Sequence, residues 1–275
     1  MVQQHMDIQP NQLSSIERIN ICRHPKRPKS LEYIKYVFQN FQEIHGDRLF
    51  RDDPSIICGF GYLGEIKCAI IAQEKGSDTD SRLKHNFGMN YPEGYRKALR
   101  VMKLAEKFSL PIICLIDTPG AYPGLEAEER GQGHAIAQNL KEMSLLKTPT
   151  ISLVIAEGCS GGALGIGVTD RIFMLEQSYY SVISPEGCAS ILWKDPSKKE
   201  MASSALRLHP ENLIALHIVD KMIKEPLGGA HQDPRSVFND VKKVLADEIS
   251  YLKKIPIEEL LELRYEKFRR IGSFL

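Results

Sequence analysis

The chain reads as an α/β protein. Apolar, β-branched runs that suit buried strands alternate with segments of helical period. Two glycine-bearing loops, 118–124 and 158–162, each follow such a strand, where open α/β sheets gather ligands. No linker-like composition interrupts the alternation after residue 30. The predicted organisation is therefore an N-terminal arm, 1–29, and one domain, 30–275.

Residues 1–29 are polar and end in a basic, proline-broken run, Arg23-His24-Pro25-Lys26-Arg27-Pro28-Lys29, which reads as an arm or linker, with a nucleic-acid patch as the lesser reading. Ser30 is placed to cap a helix with Leu31, Ile34, Val37, Phe38 and Phe41 on one face. Strands over 55–62 and 67–73 flank Leu63-Gly64-Glu65, a hairpin signal. The polar stretch 75–91 reads as a loop. Pro92 opens a helix to about 107, with Tyr95, Leu99, Met102 and Ala105 near one face. A strand over 111–116 leads into the loop Thr118-Pro119-Gly120-Ala121-Tyr122-Pro123-Gly124. A helix over 127–145 and a strand over 150–155 follow. Beyond the Gly161-Gly162 turn come strands at 171–175 and 179–183, then a helix from Pro185. Residues 197–270 are mostly helical, with a strand at 219–223.

Composition bounds the function. The chain has 275 residues, 43% hydrophobic and 26% charged, with a net charge of +1. That balance argues against nucleic acid and membrane surfaces as partners. No run of about 18 apolar residues suggests a membrane span, and the first residues lack the apolar core of a signal peptide. The six cysteines, Cys22, Cys58, Cys68, Cys114, Cys159 and Cys188, form no Cys-x-x-Cys pair. They read as core residues of a cytoplasmic protein without a metal site.

The segment Ala156-Glu157-Gly158-Cys159-Ser160-Gly161-Gly162-Ala163-Leu164-Gly165 carries the chemistry. A glycine pair between a strand and a helix leaves backbone N–H groups uncovered, which suits an oxyanion hole. On physical grounds alone a hydrolase, a protease or a transferase would fit. Ser160 lacks an assignable base and reads as a helix cap. Asp117-Thr118-Pro119-Gly120 resembles a GTPase switch, but no Gly-x-x-x-x-Gly-Lys-Ser/Thr run accompanies it, and Asp117 reads as a brace for the loop. Lys103 follows Met102 as in biotinylated domains, yet lies within a helical pattern. No Gly-x-Gly-x-x-Gly follows a strand, which weighs against nicotinamide chemistry.

Longer runs carry a resemblance. They are Arg23-His24-Pro25-Lys26-Arg27-Pro28, Asn86-Phe87-Gly88-Met89, Pro92-Glu93-Gly94-Tyr95-Arg96-Lys97-Ala98-Leu99-Arg100 and Ile116 through Gly124. With them stand Ala127-Glu128-Glu129-Arg130-Gly131-Gln132, Ser160-Gly161-Gly162-Ala163-Leu164, Tyr180 through Trp193, and Glu225-Pro226-Leu227-Gly228-Gly229-Ala230-His231. Together, over about residues 20–270, the chain resembles the carboxyltransferase alpha subunits of bacterial-type acetyl-CoA carboxylase. The resemblance implies a crotonase-like (ClpP/crotonase) superhelix of β-β-α units with a helical C-terminal region. It implies transfer of a carboxyl group from carboxybiotin to acetyl-CoA, giving malonyl-CoA for fatty-acid synthesis. Biotin would arrive in trans on a biotin carboxyl carrier protein, loaded by biotin carboxylase, the component that uses ATP. The implied partner is a zinc-ribbon-bearing beta subunit in an α2β2 heterotetramer.

The same resemblance assigns Gly161 and Gly162 to an oxyanion hole on the biotin side. Gly120 and Ala121 offer a second exposed backbone loop. Arg96 and Arg130 are candidates to attract a carboxylate or a coenzyme A phosphate, or else are solvated helix charges. Ser184 and Glu186 are expected to cap the helix from Pro185, and Gly228, Gly229 and His231 to form a turn with a neutral histidine. Two departures stand out: the segment before the Arg-His-Pro run is shorter than is usual in the family, and Cys159 stands where glycine is frequent. A stand-alone crotonase-type acyl-CoA hydratase or hydrolase is an alternative and would need Glu157 as its base. A non-catalytic scaffold subunit is another.

Overall fold

Successive residues of β4 (Ile112–Thr118) point to opposite faces of a sheet that is covered on both sides. Ile113 and Leu115 join one apolar cluster, and Ile112, Cys114 and Ile116 join the other. This is the two-residue period of a strand, expressed as an unbroken apolar run because neither face meets water. The computed structural model describes residues 13–272. Its other strands are β1 (Gln39–Glu43), β2 (Ile56–Leu63), β3 (Ile66–Gln73), β5 (Thr150–Cys159), β6 (Arg171–Leu175), β7 (Tyr179–Ser181) and β8 (Lys221–Ile223). They form one sheet in the order β1-β2-β3-β4-β5-β6-β8, with β7 paired to β5. The β1–β2 and β2–β3 pairings are antiparallel and all others are parallel.

The hairpin closes on Gly64 and Glu65, with Leu63 opposite Ile66. Helices Ser30–Val37 and Pro234–Leu252 cover one face of the sheet, and Pro92–Lys107 and Gln132–Leu145 cover the other. Strand β5 is buried along all ten residues. Its first half pairs with β6 and its last three residues pair with β7. The sheet therefore splits at the end of β5, beside the glycine turn.

Several sequence expectations need correction. The expected strand over 150–155 runs on to Cys159. The 75–91 stretch contains a helix, Thr79–Lys84, capped by Asp78. The single helix expected over 127–145 is two, Leu125–Glu129 and Gln132–Leu145, separated at Gly131. The cap of Ser30–Val37 falls on Lys29, while the Ser30 hydroxyl donates to the Gln73 carbonyl at 2.6 Å. Leu31 is exposed, and Phe41 belongs to β1, a strand too short and polar to be read from sequence.

The segment read as an arm packs down where it is described. Helix Ser15–Cys22 places Ile19 and Cys22 in a buried cluster with Ala156, Cys159, Tyr179 and Leu208. The basic run is folded inward rather than offered to nucleic acid. Arg23 pairs with Glu157 and Glu186, and buried Arg27 pairs with Glu225 while donating to the Ile155 carbonyl. Residues 1–12 of that segment lie outside the described residues. At the other end, buried Arg264 of helix Ile257–Arg269 pairs with Asp170 at 2.7 Å and locks the C-terminal helix to the loop before β6.

Candidate active site

Strands β4 and β5 are neighbours, so the loops that leave their C-terminal ends meet. The contact is closest at Gly162. A Cβ built there would stand 2.5 Å from the Ala121 nitrogen and 2.6 Å from the Gly120 carbonyl carbon. Only glycine permits that approach. The Gly162 carbonyl is fixed from below by the Gln73 amide at 2.8 Å and the Tyr95 hydroxyl at 3.1 Å. Gln73 also donates to Asn90, whose own amide reaches back to the Ser55 carbonyl. Sequence reading did not single out Gln73 or Asn90, because a buried amide inside a strand or loop has no spacing signature.

Gly161 and Gly162 lie in the first turn of helix Ser160–Leu164, where N–H groups have no intrahelical acceptor. No side chain caps this helix, and no loop carbonyl among the described residues accepts from either N–H. Across the contact, the Gly120 N–H is taken by the Thr118 hydroxyl at 3.0 Å. The Ala121 N–H has no backbone acceptor among the described residues. Of the two sequence candidates on this loop, Ala121 is therefore the free donor. The Thr118 hydroxyl holds the loop by donating to the Gly88 carbonyl, and Gln132 holds it through the carbonyls of Asn90 and Tyr122.

Ser160 does not cap the helix; that position falls to Cys159. Its backbone is in the left-handed region, with φ of 57°, and it stands exposed. The described histidine contacts go elsewhere: His85 to the Pro54 carbonyl and His209 to Ser15. The Cys159 side chain tucks inward against the Tyr179 hydroxyl, and burial pushes its thiol up to about 12. Neither residue is set up as a nucleophile.

Under the glycine turn lies a charged network. The Glu157 carboxylate accepts from Lys75, from Arg23 at 2.7 Å and from the Tyr179 hydroxyl. Lys75 also pairs with Asp117 at 2.8 Å. Burial alone would raise the Glu157 carboxyl, but Lys75 and Arg23 outweigh it and hold the group far below the usual carboxylate range. A carboxylate so strongly stabilised and fully occupied is a poor general base. Asp117, read from the sequence as a brace for its loop, bonds instead to Lys75 and to the Glu157 N–H. Ser184 caps helix Pro185–Trp193 by accepting from the Gly187 N–H, while Glu186 binds Arg23.

Arg96 and Arg130 stand together. Arg96 donates to Asp47 at 2.8 Å and to the Arg130 carbonyl at 3.0 Å. Arg130 pairs with Glu93 and lies over the rings of Phe50 and Tyr91, 5.1 and 5.4 Å from their centroids. Neither is a solvated helix charge, and both guanidiniums are engaged by carboxylates of this chain. Gly228 and Gly229 form the expected turn with positive φ, and His231 stacks on His24 at 3.7 Å. Burial, with His24 and Arg27 close by, holds His231 below its usual value.

The family profile described as "Acetyl co-enzyme A carboxylase carboxyltransferase-like" matches residues 2–272. Acetyl-coenzyme A carboxylase carboxyl transferase subunit alpha of Protochlamydia amoebophila (strain UWE25) is 58% identical over 265 residues, covering 96% of this chain and 84% of its own. The corresponding subunit of Chlamydia pneumoniae is 60% identical over 262 residues, covering 95% and 81%. The chain belongs to the acetyl-coenzyme A carboxylase carboxyltransferase alpha subunit family. As a member it is one component of a multi-subunit, biotin-dependent carboxylase.

Solved structures agree on the fold. Transcarboxylase 12S superposes with a TM-score of 0.62 at 16% identity, over 81% of this chain and 44% of that one. The beta subunit of Pseudomonas aeruginosa geranyl-CoA carboxylase gives 0.62 at 17%, over 96% and 47%. This chain thus spans about half the length of those two subunits. The expected crotonase-like carboxyltransferase fold is the one observed. No described helix is long and apolar enough to cross a membrane. Among the described residues no three His, Cys, Asp or Glu side chains gather as metal ligands.

Proposed function

We propose that the contact between the 120–121 and 161–162 loops is one half of a carboxyltransferase active site, whose other half comes from a zinc-ribbon-bearing beta subunit in an α2β2 assembly. The observation that supports it most is the pair of unclaimed N–H groups at Gly161 and Gly162, pressed against the free N–H of Ala121. Biotin, attached to a carrier protein, supplies the carboxyl group and a ureido ring that carries negative charge as that group departs. The residues present suit such a group: backbone donors without side chains over them, on a turn held rigidly from beneath.

In this reading Gly161 and Gly162 donate hydrogen bonds to developing negative charge, with Ala121 as a third donor. A preorganised donor of this kind is worth about 3 kcal/mol of barrier. Gln73 and Tyr95 orient the turn through the Gly162 carbonyl. Glu157, Lys75 and Arg23 keep the end of β5 in place and take no proton. Arg96 and Arg130 brace the loop at Asp47 against helix Pro92–Lys107. Acetyl-CoA is the proposed acceptor and malonyl-CoA the product. The six buried, unpaired cysteines suit a reducing cytoplasm.

A stand-alone hydratase or hydrolase is poorly served, since its one candidate base, Glu157, is held ionised within an ion-pair network. The test is direct. The purified chain is mixed with acetyl-CoA and carboxybiotin, with and without the beta-type partner. Malonyl-CoA is expected only from the mixture of both subunits. Full activity from this chain alone would overturn the shared site. Replacing Gly161 by proline removes a donor, and unchanged turnover in the folded assembly would overturn the oxyanion role and favour a scaffold.

A further inference from the structure

Asn90 is bonded toward both loops of the site. It is fully buried, and every polar group of its side chain is engaged. The Ser55 carbonyl can only accept, so Asn90 Nδ2 faces it at 2.9 Å, with the Ser55 hydroxyl oxygen at the same distance. Asn90 Oδ1 therefore points the other way and accepts from Gln73 Nε2 at 2.7 Å. The same Gln73 nitrogen directs its second N–H to the Gly162 carbonyl. The Tyr95 hydroxyl lies 3.3 Å from Asn90 Oδ1 and 3.1 Å from that carbonyl. Through its backbone carbonyl Asn90 also accepts the Tyr122 N–H at 3.0 Å and the Gln132 amide at 2.8 Å. Two residues earlier, the Gly88 carbonyl takes the Thr118 hydroxyl. Segment 88–90 thus grips the 118–122 loop on both sides of Ala121. The chain enters this segment through Asn86, Phe87 and Gly88, all in the left-handed region at φ 48°, 55° and 78°. Two of these three are not glycine, and such backbone persists only where its surroundings over-determine it.

We infer that Asn90 is a positioning residue: it ties the 161–162 turn to the 120–121 loop and sets the spacing of their N–H donors. Its side chain holds one loop through Gln73, and its carbonyl holds the other through Tyr122. The amide chain has a single polarity. Turning the Asn90 amide over would set Oδ1 against the Ser55 carbonyl and Nδ2 against the Gln73 nitrogen. Gln73 Oε1 is buried without a partner, so the Gln73 amide is oriented by the two bonds of its nitrogen. Removing the Asn90 acceptor takes one of them away. Preorganised donors act only where they are held in place, and a displacement of about 1 Å costs about 10²-fold in rate. Asn90 touches no reacting group and moves no proton. Its kinetic consequence rests on the reading of Gly161, Gly162 and Ala121 as donors of a shared site; the tie between the loops does not.

Two measurements test this, one of them independent of turnover. The Tyr122 and Gly165 N–H groups are bonded to the Asn90 and Gly161 carbonyls, one on each side of the contact. In amide hydrogen exchange on the full chain, Asn90→Leu is expected to speed both about tenfold, the factor that loss of about one buried hydrogen bond produces. Ser152→Ala is the control. It removes a buried hydroxyl contact to Thr169 at 2.9 Å, toward the far end of β5, and is expected to lower the melting temperature with both exchange rates unchanged. In the assembly reconstituted with the beta-type partner, Asn90→Leu and Gln73→Leu are each expected to lower kcat and kcat/KM together by about tenfold or more, as when an interaction made in the transition state is lost. The double variant should lose no more than the worse single one, because both act on one carbonyl. Asn90→Ser carries both measurements if Asn90→Leu does not fold. Wild-type exchange at either amide of a folded Asn90 variant overturns the tie, whatever the turnover. Faster exchange at both with wild-type kcat, or multiplied losses in the double variant, overturns the positioning role. Failure of the wild-type pair to make malonyl-CoA overturns the shared site and that role with it, while the exchange rates still decide the tie.

Discussion

Gly161 and Gly162 are adjacent and identical in type, but their surroundings differ. A methyl group at 162 would meet the Gly120 and Ala121 backbone at 2.5–2.6 Å, whereas one at 161 would meet nothing nearer than Ile136 at 3.8 Å. Gly162→Ala is therefore expected to separate the two loops and lower kcat of the reconstituted enzyme by about 10²-fold or more. Gly161→Ala keeps its N–H and should leave kcat near the wild-type value. Equal effects from the two would show that loop contact is not what the site needs. Glu157 gives a second residue-scale test. Glu157→Gln leaves half-buried Lys75 facing Asp117 alone and is expected to cost about 3 kcal/mol of stability, read from the urea midpoint. A general base would instead show lost turnover with unchanged stability.

At the scale of elements, the break at Gly131 positions the site's rear wall. The period of apolar residues over 127–145 is helical throughout, so sequence pattern alone predicts one helix. Gly131, at φ 81°, turns the chain into the left-handed region and starts a new helix whose Gln132 side chain ties down the 118–124 loop. A Cβ at 131 has room, with His134 Cβ 3.7 Å away, so the cost of Gly131→Ala is backbone conformation. About 1–2 kcal/mol is expected in chemical denaturation. A stability equal to wild type would mean the helices can merge without strain. Strand β5 teaches the complementary lesson. Its apolar run marked the start, but the last residues, Glu157-Gly158-Cys159, are held as strand by pairing with β7 and with Thr118 of β4, while Arg23 and Lys75 satisfy Glu157.

At the scale of the molecule, the N-terminal segment and the 210-helix region are joined through His209, which contacts the Ser15 hydroxyl at 2.9 Å. Burial, with Arg18 nearby, holds His209 down to about 4. Its unfolded value lies near 6.5. The unfolded chain thus binds an extra proton between those limits. The stability His209 contributes is present above about pH 6.5 and lost as pH falls toward 4, at up to about 1.4 kcal/mol per unit. Melting temperature should drop between pH 7 and pH 5, and His209→Gln should flatten that drop. Asp52, held at about 2 by Lys97, the Gly46 N–H and His45 against the opposing effect of burial, loses its contribution only at lower pH. If His209→Gln leaves the slope unchanged, the histidine is not the group that titrates.

The sequence by itself determined the α/β class, most strands and helices, the Gly161-Gly162 turn and the family. Period, turn residues and long ordered motifs are local properties, so one chain displays them without folding. Only the tertiary structure decided what the charges do. Arg23 and Arg27 read as a free basic run, yet they neutralise Glu157 and Glu225; Arg96 and Arg130 read as anion seekers, yet they hold Asp47 and Glu93. Arg82 drew no notice, yet its buried Nε has no hydrogen-bond partner among the described residues. Charge pairing depends on distances between residues far apart in the chain, and such distances exist only once the sheet has formed.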